Sequence, residues 1–174
     1  FPGGLEVWEK ELAPLGAVNF GVAGDKTENV LWRITAGKQL EKAYPEIIVL
    51  EVGTNNFHRK GSPDTPEMIA AGVNSILTAI EKISPDSKVL LWGLFPRDFK
   101  VDSHFRKTIP EVNGLLSKLA DGKKVFFADP SSIFLSPDGS ISQELLRDGL
   151  HPSPEGYRRW AAEMLPLLRQ MPEK

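Results

Sequence analysis

The sequence predicts an α/β protein, a three-layer α/β/α sandwich around a parallel sheet, on three observations. Segments with helical periodicity alternate along the chain with apolar runs of strand length. The connections between them are short. The run Ile47 to Leu50 is continuously apolar, as expected of a strand covered by helices on both faces.

Each element follows from local chemistry. "LEVWEKELAPLG" (5–16) sets Leu5, Trp8 and Leu12 at helical spacing and closes on Pro14 and Gly16, predicting a short amphipathic helix. "AVNFGVAG" (17–24) has the composition of a strand. Thr27 reads as the N-cap of a helix over "ENVLWRITAGKQLEKA", with Val30, Leu31, Ile34 and Leu40 on its buried face and Gly37 weakening its middle. A second strand lies in "EIIVLEVGTNN" (46–56). "TPEMIAAGVNSILTAIEKIS" (65–84) has proline at an early helical position and Met68, Ile69, Val73, Ile76, Leu77 and Ile80 at spacings of three and four. "KVLLWGLFP" (88–96) is another buried strand, followed by a loop and a helix over about 104–120. "KVFFADP" (124–130) is the last strand, and "SPEGYRRWAAEMLPLLRQM" (153–171) the last helix, with Ser153 as N-cap and Pro154 at its first position.

Composition fits one domain, residues 1–174: 41% of the residues are hydrophobic, enough for a sizeable core. Lys and Arg number 21 against 23 Asp and Glu with no block of like charge, which argues against nucleic acid or an anionic membrane as partner. No apolar run approaches the roughly 20 residues of a membrane span. There is no cysteine, which excludes disulfides, thiolate metal sites and a cysteine nucleophile but leaves the compartment open. The chain starts without Met or a signal-peptide pattern and reads as a processed or truncated product.

Parallel sheets carry their sites at the C-terminal ends of the strands. Three stretches belong there: "GVAGD" after the first predicted strand, "GTNN" after the second, and "DGLH" before the last helix. An Asn55 amide can donate to an oxygen acquiring negative charge, and Gly24 can present a bare backbone N–H to the same oxygen. Equally, both stretches have the composition of ordinary turns. Asp148 lies three residues before His151, close enough for a carboxylate to orient an imidazole, or for a plain surface pair before a helix. His58 and His104 fall in a loop and at a helix start, solvated or lining a pocket. Asp25, Asp129 and Asp138 suit turn formation. No His-x-x-x-His spacing supports a metal, and no phosphate loop supports a nucleotide.

Taken together and in this order, "NFGVAGDKTENVLWRI", "VLEVGTNN" and "DGLHPSPEGY" resemble the second, third and fifth sequence blocks of the SGNH (GDSL-type) hydrolases. The likeness is nearest to the subgroup resembling the α subunits of platelet-activating factor acetylhydrolase. It implies a flavodoxin-like strand order 2-1-3-4-5, with Gly24 and Asn55 in the oxyanion hole and Asp148 and His151 as acid and base. It also implies a serine esterase of short acyl groups, chiefly acetyl, on a sugar or lipid alcohol, with neither metal nor organic cofactor, and a homodimer. The family usually has Asn-Asp where this chain has Asn55-Asn56, which leaves Asn55 in register. Phe57, His58, Phe95 and Arg97 stand just beyond strand ends, where lining the pocket and packing the loops are equal explanations.

The family's first block, Gly-Asp-Ser, is absent, and none of the serines present stands in its context. Ser140 and Ser142 follow the last predicted strand instead of ending the first, and Ser153 suits a helix cap. The expectation is that the functional polypeptide includes an upstream strand ending in the nucleophile, between the second and third strands of the sheet. The alternative is a catalytically inactive SGNH-like binding domain. A flavodoxin-like nucleotide binder is disfavoured by the missing phosphate loop.

Overall fold

Three of the predicted apolar runs become strands of one parallel sheet, β1 (Ile47–Leu50), β2 (Lys88–Trp92) and β3 (Val125–Ala128), in the order β1-β2-β3. The register pairs Val49 with Leu90 and Leu90 with Phe126. The computed structural model describes residues 2–41, 43–58 and 62–171. In chain order the helices are α1 (Leu5–Val7), α2 (Thr27–Ile34), α3 (Pro66–Ile83), α4 (His104–Leu116), α5 (Ser131–Phe134) and α6 (Pro154–Gln170).

The chain divides into two compact units, each discontinuous in sequence. One holds Val22–Leu94 and Thr108–Asp129, and so contains the whole sheet. Its core is β2, where Val89, Leu90, Leu91 and Trp92 are buried, with Ile69, Val73, Ile76 and Ile80 of α3. Burying such side chains contributes about 1.5–3 kcal/mol each. α3 forms as its sequence dictates: Thr65 caps it by accepting from Met68 N at 3.3 Å, and Pro66 opens it. Met68, assigned to the buried face from spacing, is instead 56% exposed: it lies about 100° around the helix from Ile69, off the stripe that Ile69, Val73, Ile76 and Ile80 bury. α2 is shorter than expected and ends at Ile34, ahead of Gly37. Thr27 is its first helical residue, not its cap; Asn29 Oδ1 accepts from Lys26 N at 3.0 Å.

The other unit holds the segments up to Gly21, Phe95–Lys107, and the chain from Pro130 onward. α1 continues as a π-helical stretch Trp8–Leu12 and a 3-10 turn Ala13–Leu15, so the predicted helix is present with mixed geometry. α1 and α5 pack on α6. Ser153 caps α6 as expected, accepting from Gly156 N at 3.0 Å.

Two expectations about the sheet fail for one reason. Residues 17–24 form no strand, and Val18, Phe20 and Val22 lie exposed. β1 is not buried on both faces: Val49 is 40% exposed, and β1 pairs with β2 alone among the described residues. A strand is stabilised by hydrogen bonds to a neighbour, and among the described residues the segment 17–24 lies in no ladder while β1 is paired along one edge only.

Candidate active site

Asp148 and His151 stand on a loop that local hydrogen bonds hold before α6. Arg147 N donates to His151 O at 3.2 Å, Ser153 N to Leu145 O at 2.8 Å, and Ser153 Oγ to Glu144 O. Gly149, at φ +75°, turns the chain between the two residues with a backbone that side-chain-bearing residues adopt at a cost. The carboxylate thereby faces the imidazole: Asp148 Oδ2 lies 2.7 Å from His151 Nδ1. Asp148 Oδ1 accepts from His151 N at 2.8 Å and Leu150 N at 3.0 Å. These bonds to the charged form, the His151 backbone N–H foremost and the imidazole next, hold the Asp148 carboxyl down at about 2. It is therefore an anion throughout the neutral range, suited to orienting the ring through Nδ1.

Arg97 adjoins this pair. The residue is buried, 8% exposed, and its guanidinium carbon lies 4.2 Å from the centroid of the Phe105 ring. Burial lowers its proton affinity, while the charges of Asp98 and Asp148 raise it. Arg97, Phe105 and Asp148 line a cavity of about 150 Å³. Asp98 N donates to Gly149 O at 2.7 Å, bracing the acid–base loop. Phe95 packs away from this cavity, against Phe134 and Trp160 at ring distances of 4.8 and 4.9 Å.

In the unit that contains the sheet, the turn at 22–25 and the "GTNN" stretch meet. Asn55 Nδ2 donates to Asp25 O at 3.0 Å. The Asp25 carboxylate in turn pairs with Arg33 at 2.6 Å, anchoring the turn to α2. Gly24 has φ +85°, and its N–H makes no hydrogen bond among the described residues. One Asn55 amide hydrogen and the Gly24 N–H thus remain for a ligand oxygen. Phe57 is buried in the 3-10 turn Thr54–His58, and His58 at its end is exposed. Asn56, Asp64 and Arg33 were missed from the sequence. The repeated asparagine was the one available signal for Asn56; nothing in "SPDTPE" singles out Asp64.

The three serines singled out in the sequence have structural occupations: Ser140 donates to Asp138 Oδ1 at 2.7 Å, Ser142 Oγ accepts from Glu144 N at 3.1 Å, and Ser153 caps α6. Among the described residues no three His, Cys, Asp or Glu side chains are grouped to hold a metal ion, and no helix is long and apolar enough to cross a membrane.

Glu51 directly follows β1, and its carboxylate makes no hydrogen bond or ion pair among the described residues. Burial raises its carboxyl from 4.5 to about 7. The folded protein then holds this proton more tightly than the unfolded chain does. Its stability is full below pH 4.5, falls as the pH rises through about 7, and levels off above. The shift sets an upper bound of about 3 kcal/mol, reduced because the side chain keeps partial contact with water. Glu51→Gln is expected to abolish this decline and make the variant about 1–3 kcal/mol more stable near pH 8, as read by urea denaturation across the range. Parallel curves for the two proteins would contradict the assignment.

The family model described as "GDSL-like Lipase/Acylhydrolase family" matches residues 2–159. The chain is 36% identical over 173 residues to the human platelet-activating factor acetylhydrolase IB subunit alpha2, covering 97% of this chain and 71% of that protein. With the rat subunit alpha1 it shares 37% identity over 153 residues, 87% of this chain, and spans 63% of that relative's length. A solved acetyl xylan esterase superposes with a TM-score of 0.76 at 20% identity, over 95% of this chain and 90% of that one, so the fold is shared.

Proposed function

Because this chain belongs to the GDSL-like lipase/acylhydrolase family, we propose that it forms the greater part of a serine esterase acting on short acyl, chiefly acetyl, esters of a sugar or lipid alcohol. The single observation that carries this reading is the Asp148–His151 pair, with Oδ2 at 2.7 Å from Nδ1 and the carboxylate pinned by two backbone N–H groups. The acetyl preference is supported by relatives named as acetylhydrolases and by an acetyl xylan esterase of the same fold. The partners that go with it are a small-molecule ester and, by the family resemblance, a second copy of the chain.

The proposed chemistry is acyl transfer in two steps. His151 Nε2 takes the proton of a serine hydroxyl as its oxygen bonds to the ester carbonyl carbon. The oxyanion is met by Gly24 N–H, by Asn55 Nδ2 and by the N–H of that serine. Collapse breaks the bond to the alcohol oxygen, which leaves with the proton from His151. Water then adds to the acyl-serine while His151 takes its proton, and the second collapse releases the acid and returns the proton to the serine. Arg97 forms part of the wall beside the acid.

We further propose that this serine ends a strand preceding Phe1 that seats along the free edge of β1. Support comes from β1, which pairs with β2 alone among the described residues, from the strand-like residues 17–24 that lie outside any ladder, and from the structural occupations of Ser140, Ser142 and Ser153. Treating the longer polypeptide with a fluorophosphonate and mapping the modified peptide tests both parts. The expected label falls on an upstream Gly-Asp-Ser serine, and acetyl-ester hydrolysis stops as it forms. Label on a serine within residues 1–174 would overturn the upstream nucleophile. Neither label nor hydrolysis would overturn the esterase reading in favour of a binding domain.

A further inference from the structure

We propose that Asn56 is a positioning residue for the oxyanion hole, the hub of a buried clamp whose other members are Thr27 and Asp64. The proposal rests on the esterase reading and adds to it residues that do not touch the reacting atoms. Asn56 is 1% exposed, Thr27 5% and Asp64 6%. A buried primary amide needs partners for both its oxygen and its two hydrogens, and here it has them. Asn56 Oδ1 accepts from Thr27 N at 3.1 Å. Its Nδ2 donates to Thr27 Oγ1 at 3.0 Å and to Asp64 Oδ2 at 2.7 Å, with Glu28 Oε2 at 3.4 Å beside them. Asp64 N returns a bond to Asn56 O at 3.4 Å.

The clamp joins the two chain segments that carry the proposed donors. Asn56 is the neighbour of Asn55, and Thr27 is three residues beyond Gly24. Between them the Asn55 Nδ2 bond to Asp25 O closes a second link across the same two segments. Thr27 is fixed from its other side as well: a Cβ on Gly72 of α3 would stand only 2.5 Å from Thr27 Oγ1, so the absent side chain is what admits the threonine. Asn55, held by one bond to a carbonyl, could swing about it. Asn56 removes that freedom by fixing the backbone on which Asn55 stands.

Asp64 explains why asparagine suits this position. An aspartate at 56 would set two carboxylates about 2.7 Å apart, a pair able to keep only one negative charge comfortably. The amide instead donates to the carboxylate already there.

A cycle with Asn55 separates positioning from bulk stability. In the longer polypeptide, kcat and KM for an acetyl ester are measured per fluorophosphonate-titrated site, well below the melting temperature. Asn56→Ala is expected to lower kcat about 10- to 100-fold with KM unchanged. In an Asn55→Ala background the same change should cost about twofold or less, since the amide to be positioned is gone. Asp64→Ala, which removes the nearest of the Nδ2 acceptors, is read the same way where Asn56→Ala folds poorly. Equal losses in both backgrounds would overturn the clamp while leaving the esterase reading intact. An unmodified polypeptide without esterase activity would overturn both.

Discussion

Replacing Asp148 with asparagine in the polypeptide that carries the nucleophile is expected to lower kcat about 10⁴-fold with little change in KM. The substitution is nearly isosteric, and the loop has a reason to survive it. The amide oxygen can still accept from Leu150 N and His151 N, the two bonds that Oδ1 makes at 3.0 and 2.8 Å. What changes is the group facing His151 Nδ1 at 2.7 Å, an acceptor in the native protein and an N–H donor in the variant. A donor there demands an unprotonated Nδ1, which puts the ring hydrogen on Nε2 and leaves no lone pair for the serine proton. The imidazolium that forms in each step also loses its counter-charge. Wild-type activity should keep the acid partner ionised far into acid, because Asp148 titrates only near 2. A loss under tenfold with an intact fold would remove Asp148 from the proposed machinery.

How much of this was readable beforehand divides along sequence distance. α3 was legible because its cap, its proline and its apolar spacing act within a few residues. The Asp148–His151 contact was legible for the same reason, as a pair three apart on a glycine-punctuated loop. Residues 17–24 misled because a strand's composition is local whereas its ladder is not: outside any ladder among the described residues, the apolar alternation leaves Val18, Phe20 and Val22 exposed. The same non-locality hid the clamp, whose Asn56–Thr27 bonds span 29 residues. Nothing in "SPDTPE" marks Asp64 as the acceptor of a buried amide rather than a loop residue. Arg33, a helical cation by pattern, anchors the turn bearing Asp25 for a reason equally invisible in sequence.

Asn55→Ala carries the second large effect, an expected loss of about 10²- to 10³-fold in kcat with KM nearly unchanged. Among the described residues the amide makes one bond, to Asp25 O at 3.0 Å, so truncation leaves only a carbonyl short of one of its partners. The fold cost is therefore small beside the catalytic one. The second N–H matters most when negative charge has developed on the carbonyl oxygen, which places the loss in kcat instead of in substrate binding. Asn55→Asp sharpens the test. A carboxylate would set an oxygen against Asp25 O, where a donor is required, and would repel the oxyanion from the other side. The aspartate variant should accordingly be slower than the alanine variant, although it is closer in size. That ordering distinguishes hydrogen-bond donation from space filling: if shape alone mattered, aspartate would be the milder change. Steady-state kinetics on the three proteins read the order directly, and an aspartate variant as fast as wild type would overturn the oxyanion role.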